Sequence, residues 1–183
     1  MARPREFDAD AALESAMRVF WEKGYDASSM SDLLAAMGIA KGSLYKAFKD
    51  KRSVYLASLE RYERTMVEPV LAMLRDKSQG EGLARVRRLL ELAAQPAAAN
   101  DRGCFLCNAA VDQAQADAQV RAKVLAMTRR IERAIAEALA ESAADHAEAA
   151  RRLTALYMGL RVLARAGYPP TELEAVISSA LRL

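Results

Sequence analysis

Apolar side chains recur at spacings of three and four residues along almost the whole chain, and this repeat constrains the fold more than any other feature. The stretch from Asp8 to Lys23 carries its apolar residues on one face of such a repeat, which is typical of an amphipathic helix. The 183 residues include only 8 Gly and 5 Pro, and no segment alternates as a strand would. We therefore predict an all-α protein of about nine helices.

The signals that begin and end helices are dense in the first fifty residues. Asp8 and Gly24 bound the first predicted helix. Ser29, followed three residues later by Asp32, predicts a capping box for a second helix that Gly38 ends. A third helix is expected over residues 41–48, and the next aspartate can cap a fourth. Short helices joined in this way are typical of a helix-turn-helix motif.

The third predicted helix begins with small residues and carries basic ones. Gly42 and Ser43 would let its front edge approach a nucleic-acid backbone closely, and Lys41 and Lys46 would neutralise phosphates. Five basic residues against one acid lie between positions 41 and 52, although the net charge of the chain is only +3. A charge run is more often an ordinary solvated face. The surrounding helix pattern favours nucleic-acid binding instead.

Residues 9–56 resemble the DNA-binding domain of the TetR/AcrR family of transcriptional regulators. The resemblance lies in Ala16, Phe20, Gly24 and Tyr25 of the first helix and its end, in the block GIAKGSLY, and in the spacing Tyr45-x-x-Phe48-x-x-Lys51. It implies a helix-turn-helix DNA-binding domain over residues 1–52, with the fourth helix, from about residue 51, leading into a helical effector-binding and dimerisation domain over residues 53–183. The DNA contacts it implies are Ser29, Lys41, Gly42, Ser43, Tyr45, Lys46 and Lys51. Arg3 and Arg5 are candidates for a minor-groove arm.

The resemblance also implies the partners of the chain. Such regulators are generally homodimers, most often bacterial repressors, that bind a double-stranded DNA operator and respond to an effector. Here we expect a small apolar, aromatic or electrophilic effector. The broad apolar stripes of the last two helices support dimerisation, although these helices could instead only complete the core of one subunit. The predicted interface residues are Leu156, Gly159, Leu160, Leu163, Val176, Ile177 and Ala180.

Two cysteines, Cys104 and Cys107, stand in the distinctive segment DRGCFLCNAAVD. If Asp101 caps a helix, Cys104 falls in its first turn, where the helix dipole and Arg102 stabilise a thiolate. The segment also resembles a G-C-x-x-x-N element of one TetR subgroup, some of whose members sense reactive compounds through a cysteine. The alternative is that both thiols only fill the core. A bridge between neighbours one turn apart would distort the helix, which favours a single reactive thiol.

Other functional classes fit the sequence less well. Two cysteines and the distant His146 cannot complete a zinc site, so we expect no metal and no cofactor. An enzyme using Cys104 and Cys107 as a thiol redox pair is the main alternative, but that motif normally follows a strand in a βαβ unit. A helical interaction module would leave the basic helix unexplained. The start of the chain has no apolar leader and no run long enough to span a membrane, so we expect a cytoplasmic protein.

Overall fold

The structure, a computed structural model, describes residues 8–95, 103–140 and 146–182. Within these ranges every regular element is helical, and the all-α prediction is confirmed. If α4, the π-helical segment and α5 are counted as one continuous helix, the described ranges contain nine helices. In chain order the elements are α1 (Ala9–Lys23), α2 (Met30–Met37), α3 (Lys41–Phe48), α4 (Lys51–Tyr62), a π-helical segment (Glu63–Val67), α5 (Glu68–Arg75), a 3₁₀ turn (Lys77–Gln79), α6 (Gly82–Ala93), α7 (Phe105–Asp112), α8 (Ala118–Leu139), α9 (His146–Arg165) and α10 (Pro170–Ala180).

The predicted helix ends of the N-terminal half are confirmed. The Asp8 carboxylate accepts hydrogen bonds from two backbone amides of the first turn of α1 at 3.0 Å. Ser29 and Asp32 form the reciprocal capping box at the start of α2. Gly38 ends α2 in the left-handed conformation, with φ 65°. The Asp50 carboxylate caps α4 by accepting from an amide at 2.7 Å. These short-range interactions set the starts of α1, α2 and α4 and the end of α2.

Pro69 disturbs the long helical segment that follows α3. A proline has no amide hydrogen, so the carbonyl of Thr65, four residues earlier, loses its helical donor. The chain widens into a π-helix over Glu63–Val67 just before the proline and then continues as α5. The proline therefore accompanies a local widening within a continuous helix.

The core is one continuous cluster of apolar side chains that spans both predicted domains. Aromatic rings from α1, α4 and α7 contact one another in its N-terminal part, with centroid distances of 5.0–6.0 Å, which are favourable aromatic separations. The division at residues 52 and 53 stays a prediction, because α4 belongs to both halves. The members of the aromatic cluster are Phe20, Trp21, Tyr25, Tyr55, Tyr62 and Phe105.

One predicted helix start in the C-terminal half is wrong, and a proline begins the last helix. Gly103 has φ 71°, a left-handed conformation through which no helix passes, so α7 begins after Cys104 rather than at Asp101. Asp101 and Arg102 lie outside the described residues, as do Arg3 and Arg5. Further along the chain, α10 begins at Pro170 without a side-chain cap. Proline favours this first helical position, since its φ is already helical.

Two further expectations concern what the chain does not contain. Within the described ranges, no helix is long and apolar enough to cross a bilayer. The same ranges contain no group of three His, Cys, Asp or Glu side chains that could hold a metal ion.

Candidate DNA-binding surface and buried cysteine pair

The helix α3 has one buried side and one exposed side. Leu44 is fully buried, and Phe48 is half-buried against the core. Lys41 and Lys46 are exposed, and 47% of the Tyr45 surface is accessible. The Lys41 ammonium lies 5.9 Å from the centre of the Tyr45 ring. The exposed side of α3 therefore combines two cations with an accessible aromatic ring.

The first turn of α3 contains a glycine, Gly42, that the packing of the fold does not require. A Cβ atom built at Gly42 meets no heavy atom within 4 Å, and this glycine has no positive φ. Alanine would therefore fit there and would favour the helix. Ser43, the next residue, is half-buried. The absence of a side chain at Gly42 therefore leaves space at the surface of α3 for a binding partner to approach the helix backbone.

The front of α2 holds a negative charge that is already paired within the chain. Ser29 is exposed, and its hydroxyl donates to a carboxylate oxygen of Asp32 at 2.7 Å. Lys23 donates to the other oxygen of that carboxylate at 2.8 Å. These bonds, that of Lys23 first, hold the pKa of Asp32 well below its usual range. The carboxylate is thus ionised but already paired, which reduces its repulsion of a polyanion.

The start of α4 carries two cations with partners inside the chain. Lys51 is half-buried, and its ammonium lies 4.4 Å from the centre of the Tyr25 ring. Arg52 donates to the carboxylate of Asp117, the N-cap residue of α8, at 2.9 Å. A phosphate contact by Lys51 would therefore compete with its position over the ring.

The predicted dimer residues divide into two groups. Leu160 and Ile177 are fully buried inside the subunit, so they support the core of one subunit rather than a surface for a second copy. Leu163 and Val176 remain 40% and 44% exposed. A Cβ at Gly159 meets no atom within 4 Å. The half-buried members of the predicted set are Leu156, Gly159 and Ala180.

The two cysteines are free and buried in the core, where the Cys107 thiol lies within hydrogen-bond distance of the Met158 carbonyl oxygen at 3.9 Å. Both are buried, and the Cys104 sulfur lies 3.4 Å from the hydroxyl oxygen of Tyr62. The pKa of Cys104 is lowered, chiefly because the Cys107 thiol hydrogen-bonds to it, with the Tyr62 hydroxyl and the Arg161 charge acting the same way. Burial opposes this shift. The pKa of Cys107 is raised, because its proton is held by the Cys104 sulfur. A packing role needs none of these polar contacts.

Both ends of α7 contact functional parts of the chain. Its N-cap residue is Cys104, and its first residue, Phe105, stacks with Trp21 of α1 at 5.8 Å between ring centres. Its last residue, Asp112, accepts a hydrogen bond from the backbone amide of Tyr25 at 2.7 Å. This eight-residue helix therefore connects the cysteine pair with the turn between α1 and α2.

Sequence reasoning missed Asp112 and Asp117 as contacts of the N-terminal helices. The bond between Tyr25 and Asp112 joins residues 87 apart, and the bond between Arg52 and Asp117 joins residues 65 apart. No local pattern announces such contacts. The sequence shows only that the segment of α7 ends with an aspartate, and an aspartate at that place does not by itself predict a contact with a distant backbone amide.

Comparison with known proteins relates this surface to a family of regulators. The family model for bacterial regulatory proteins of the tetR family matches residues 12–57. The HTH-type transcriptional repressor ComR of Escherichia coli (strain K12) is 47% identical over 60 residues, 33% of this chain and 29% of its own length. The HTH-type transcriptional regulator YezE of Bacillus subtilis (strain 168) is 30% identical over 119 residues, 64% of this chain and 60% of its own. The matches thus span less than two thirds of these curated relatives.

A solved structure resembles the chain over nearly its whole length. It is a cysteine mutant of the TetR family transcriptional regulator CifR in complex with 26-bp double-strand operator DNA, with a TM-score of 0.83 and 30% identity. The likeness covers 98% of this chain and 98% of CifR. On this likeness and the family match, the chain belongs to the TetR family of transcriptional regulators.

Proposed function

We propose that this protein is a homodimeric repressor that binds double-stranded operator DNA through α3 and releases it when a small effector acts on the C-terminal half. The observation that carries the proposal is the division of α3 into a buried anchor at Leu44 and an exposed edge with Gly42, Tyr45 and Lys46. The operator complex of CifR supports it by analogy.

The dimensions of α3 suit the major groove. The groove is roughly 12 Å wide and admits one helix of about 10–12 Å diameter. A helix approaches its floor closely only if its leading residues are small, and Gly42 supplies that edge without serving the fold. Lys41 and Lys46 then reach phosphates on either side, and the Tyr45 hydroxyl can donate to a third. Ser29 at the front of α2 is also exposed.

A second copy of the chain would present a second α3 to the same duplex. The exposed apolar side chains Leu163 and Val176, together with Gly159, support a helix-to-helix contact between subunits. Introducing a charge by Val176→Glu should convert the dimer to a monomer in sedimentation velocity. The matched change Val111→Glu affects an apolar side chain that is 88% exposed on α7 and should leave the association state unchanged.

The cysteine pair and α7 support an effector route. Covalent modification of Cys104 would enlarge a buried, close-packed side chain and displace the N-terminus of α7. Because Asp112 at the other end holds the Tyr25 amide, that displacement reaches the turn between α1 and α2. The modified protein would favour a conformation that binds DNA poorly over the one that binds it well. The loss of DNA-binding free energy equals the free energy by which the modification favours the poorly binding conformation. The alternative of a thiol redox enzyme is less well supported, because such a cysteine pair normally follows a strand, and every regular element in the described ranges is helical.

Two linked experiments test the proposal. Selection of duplexes from a random pool should yield a common operator, and Lys41→Ala combined with Tyr45→Ala should abolish its gel shift while sedimentation still reports a dimer. Gly42→Ala should fold at least as stably as the natural chain and yet bind the operator more weakly. Unchanged operator binding by the double variant would overturn the assignment of α3.

For the effector route, alkylation of the protein should weaken operator binding, and Cys104→Ser should remove that response. Cys107→Ser is the matched control and should retain a response to alkylation. If the Cys104→Ser protein loses operator affinity on alkylation as the natural chain does, the cysteine only fills the core.

A further inference from the structure

The turn between α3 and α4 contains the one non-glycine residue with positive φ in the described part of the chain. This residue is Lys49, with φ 69° and ψ −53°. The amide of Asp50 donates to the carbonyl of Phe48 across it at 2.8 Å. A bond between residues two apart with these angles defines the rare form of the γ-turn, which is strained for any residue with a Cβ.

The residues on both sides keep this turn from relaxing. On the α3 side, the Lys49 amide donates to the carbonyl of Tyr45 at 3.1 Å, and Phe48 packs against the core. On the α4 side, the Asp50 carboxylate accepts from the Ser53 amide at 2.7 Å. The strained residue therefore lies between two anchored neighbours, with no spare residue on either side to absorb a different geometry.

The anchoring of α3 elsewhere is slight. Leu44 is its only fully buried residue, and Ala40 at its N-cap makes no side-chain capping bond. Leu44 and the partly buried Phe48 are the apolar side chains that hold this eight-residue helix on the core, so its orientation depends on the joint that directly follows Phe48. Glycine would adopt this positive φ without steric penalty but would also visit many other conformations.

We propose that Lys49 is a positioning residue whose Cβ stiffens the strained turn and holds α3 at a fixed orientation relative to α4. The role rests on the proposed DNA binding by α3. The exposed Lys49 ammonium would add a separate electrostatic contribution wherever it comes close to a phosphate. The backbone effect and the charge effect are distinguishable, because alanine removes the charge and keeps the Cβ, whereas glycine removes both.

The test compares the natural chain with Lys49→Ala and Lys49→Gly on the selected operator at several salt concentrations. The two variants should share one salt dependence, because both lack the ammonium. The glycine variant should bind about threefold to tenfold more weakly than the alanine variant at every salt concentration, as expected if only roughly a tenth to a third of its molecules hold α3 in the competent orientation. Thermal unfolding should nevertheless occur at a higher temperature in the glycine variant, because strain at positive φ outweighs the greater chain entropy of glycine.

Amide hydrogen exchange without DNA supplies an independent readout. The amides of α3 should exchange faster in Lys49→Gly than in Lys49→Ala, while those of α1 stay unchanged. Equal operator affinity of the two variants, or no gain in unfolding temperature for glycine, would overturn the inference. If the natural chain binds no duplex, the proposed function fails, and this inference fails with it.

Discussion

Substitution of Gly82 by alanine should strongly destabilise the protein, because α6 begins against the backbone of α8. A Cβ built at Gly82 lies 1.8 Å from the carbonyl oxygen of Ala138 and 2.7 Å from its carbonyl carbon. Even the tightest tolerated contact is about 3.0 Å, so the two helices must separate locally by more than 1 Å in a close-packed core. Unlike the end of a flexible side chain, a helix backbone cannot turn aside.

The size of the effect follows from the cost of overpacking. Forcing extra volume into a packed core costs about 1–3 kcal/mol and occasionally more. Because the obstacle here is backbone, we expect a value near 3 kcal/mol. For a chain of this size each kcal/mol lowers the melting temperature by about 2–4 °C, so the expected loss is about 6–12 °C.

The assay is thermal unfolding followed by circular dichroism at one fixed protein concentration, since the proposed dimerisation would make the midpoint concentration-dependent. Gly42→Ala is the matched control. It is also a helical glycine, but its Cβ meets nothing within 4 Å, so its melting temperature should stay level or rise slightly. A midpoint for Gly82→Ala within about 2 °C of the natural chain would refute the close-approach reasoning.

Two further predictions concern α7 and the cysteine pair. Asp112→Ala removes the acceptor for the Tyr25 amide and should make operator binding, measured by gel shift, less sensitive to alkylation of Cys104. Asp112→Asn keeps an acceptor and should preserve most of the response in the same assay. Equal responses of the two variants would contradict transmission through α7. The lowered pKa of Cys104 predicts that its alkylation rate, measured by mass spectrometry, should rise less from pH 7 to 9 than that of an ordinary thiol, which gains about twentyfold. Burial slows every rate in this series equally, and Cys107→Ala should restore a steep rise because it removes the donor that lowers the pKa.

The sequence predicted those parts of the fold that depend on near neighbours. Asp8, Asp50 and the pair Ser29 and Asp32 cap their helices through atoms at most three residues away, so their patterns are legible in one dimension. Gly38 ends α2 for an equally local reason. The N-terminal helices were therefore predicted almost to the residue.

The parts that the sequence did not predict depend on tertiary packing. Leu160 and Ile177 belong to the same apolar stripes as Leu163 and Val176, and only the arrangement of the helices decides which of these four faces inwards. The bond from the Tyr25 amide to a distant carboxylate has no local signature. Such contacts form the proposed link between the effector and DNA, and they can be identified only from the three-dimensional structure.

The most direct test of DNA docking by α3 is the salt dependence of operator affinity for Lys46→Gln. If each subunit of a dimer loses one phosphate contact, the slope of log affinity against log salt should become shallower by about 1.8, since each contact contributes roughly 0.9. Lys77→Gln is the control, because it also removes one positive charge from an exposed lysine. Lys77 follows the end of the helical segment that starts at Lys51, and that segment is about 37 Å long. This variant should leave the slope unchanged. Both slopes are measured by fluorescence anisotropy on a labelled operator. The salt concentration runs from about 50 mM to about 300 mM, where the release of counterions from phosphates strongly affects affinity. A Lys46→Gln slope equal to that of the natural chain would contradict docking through α3.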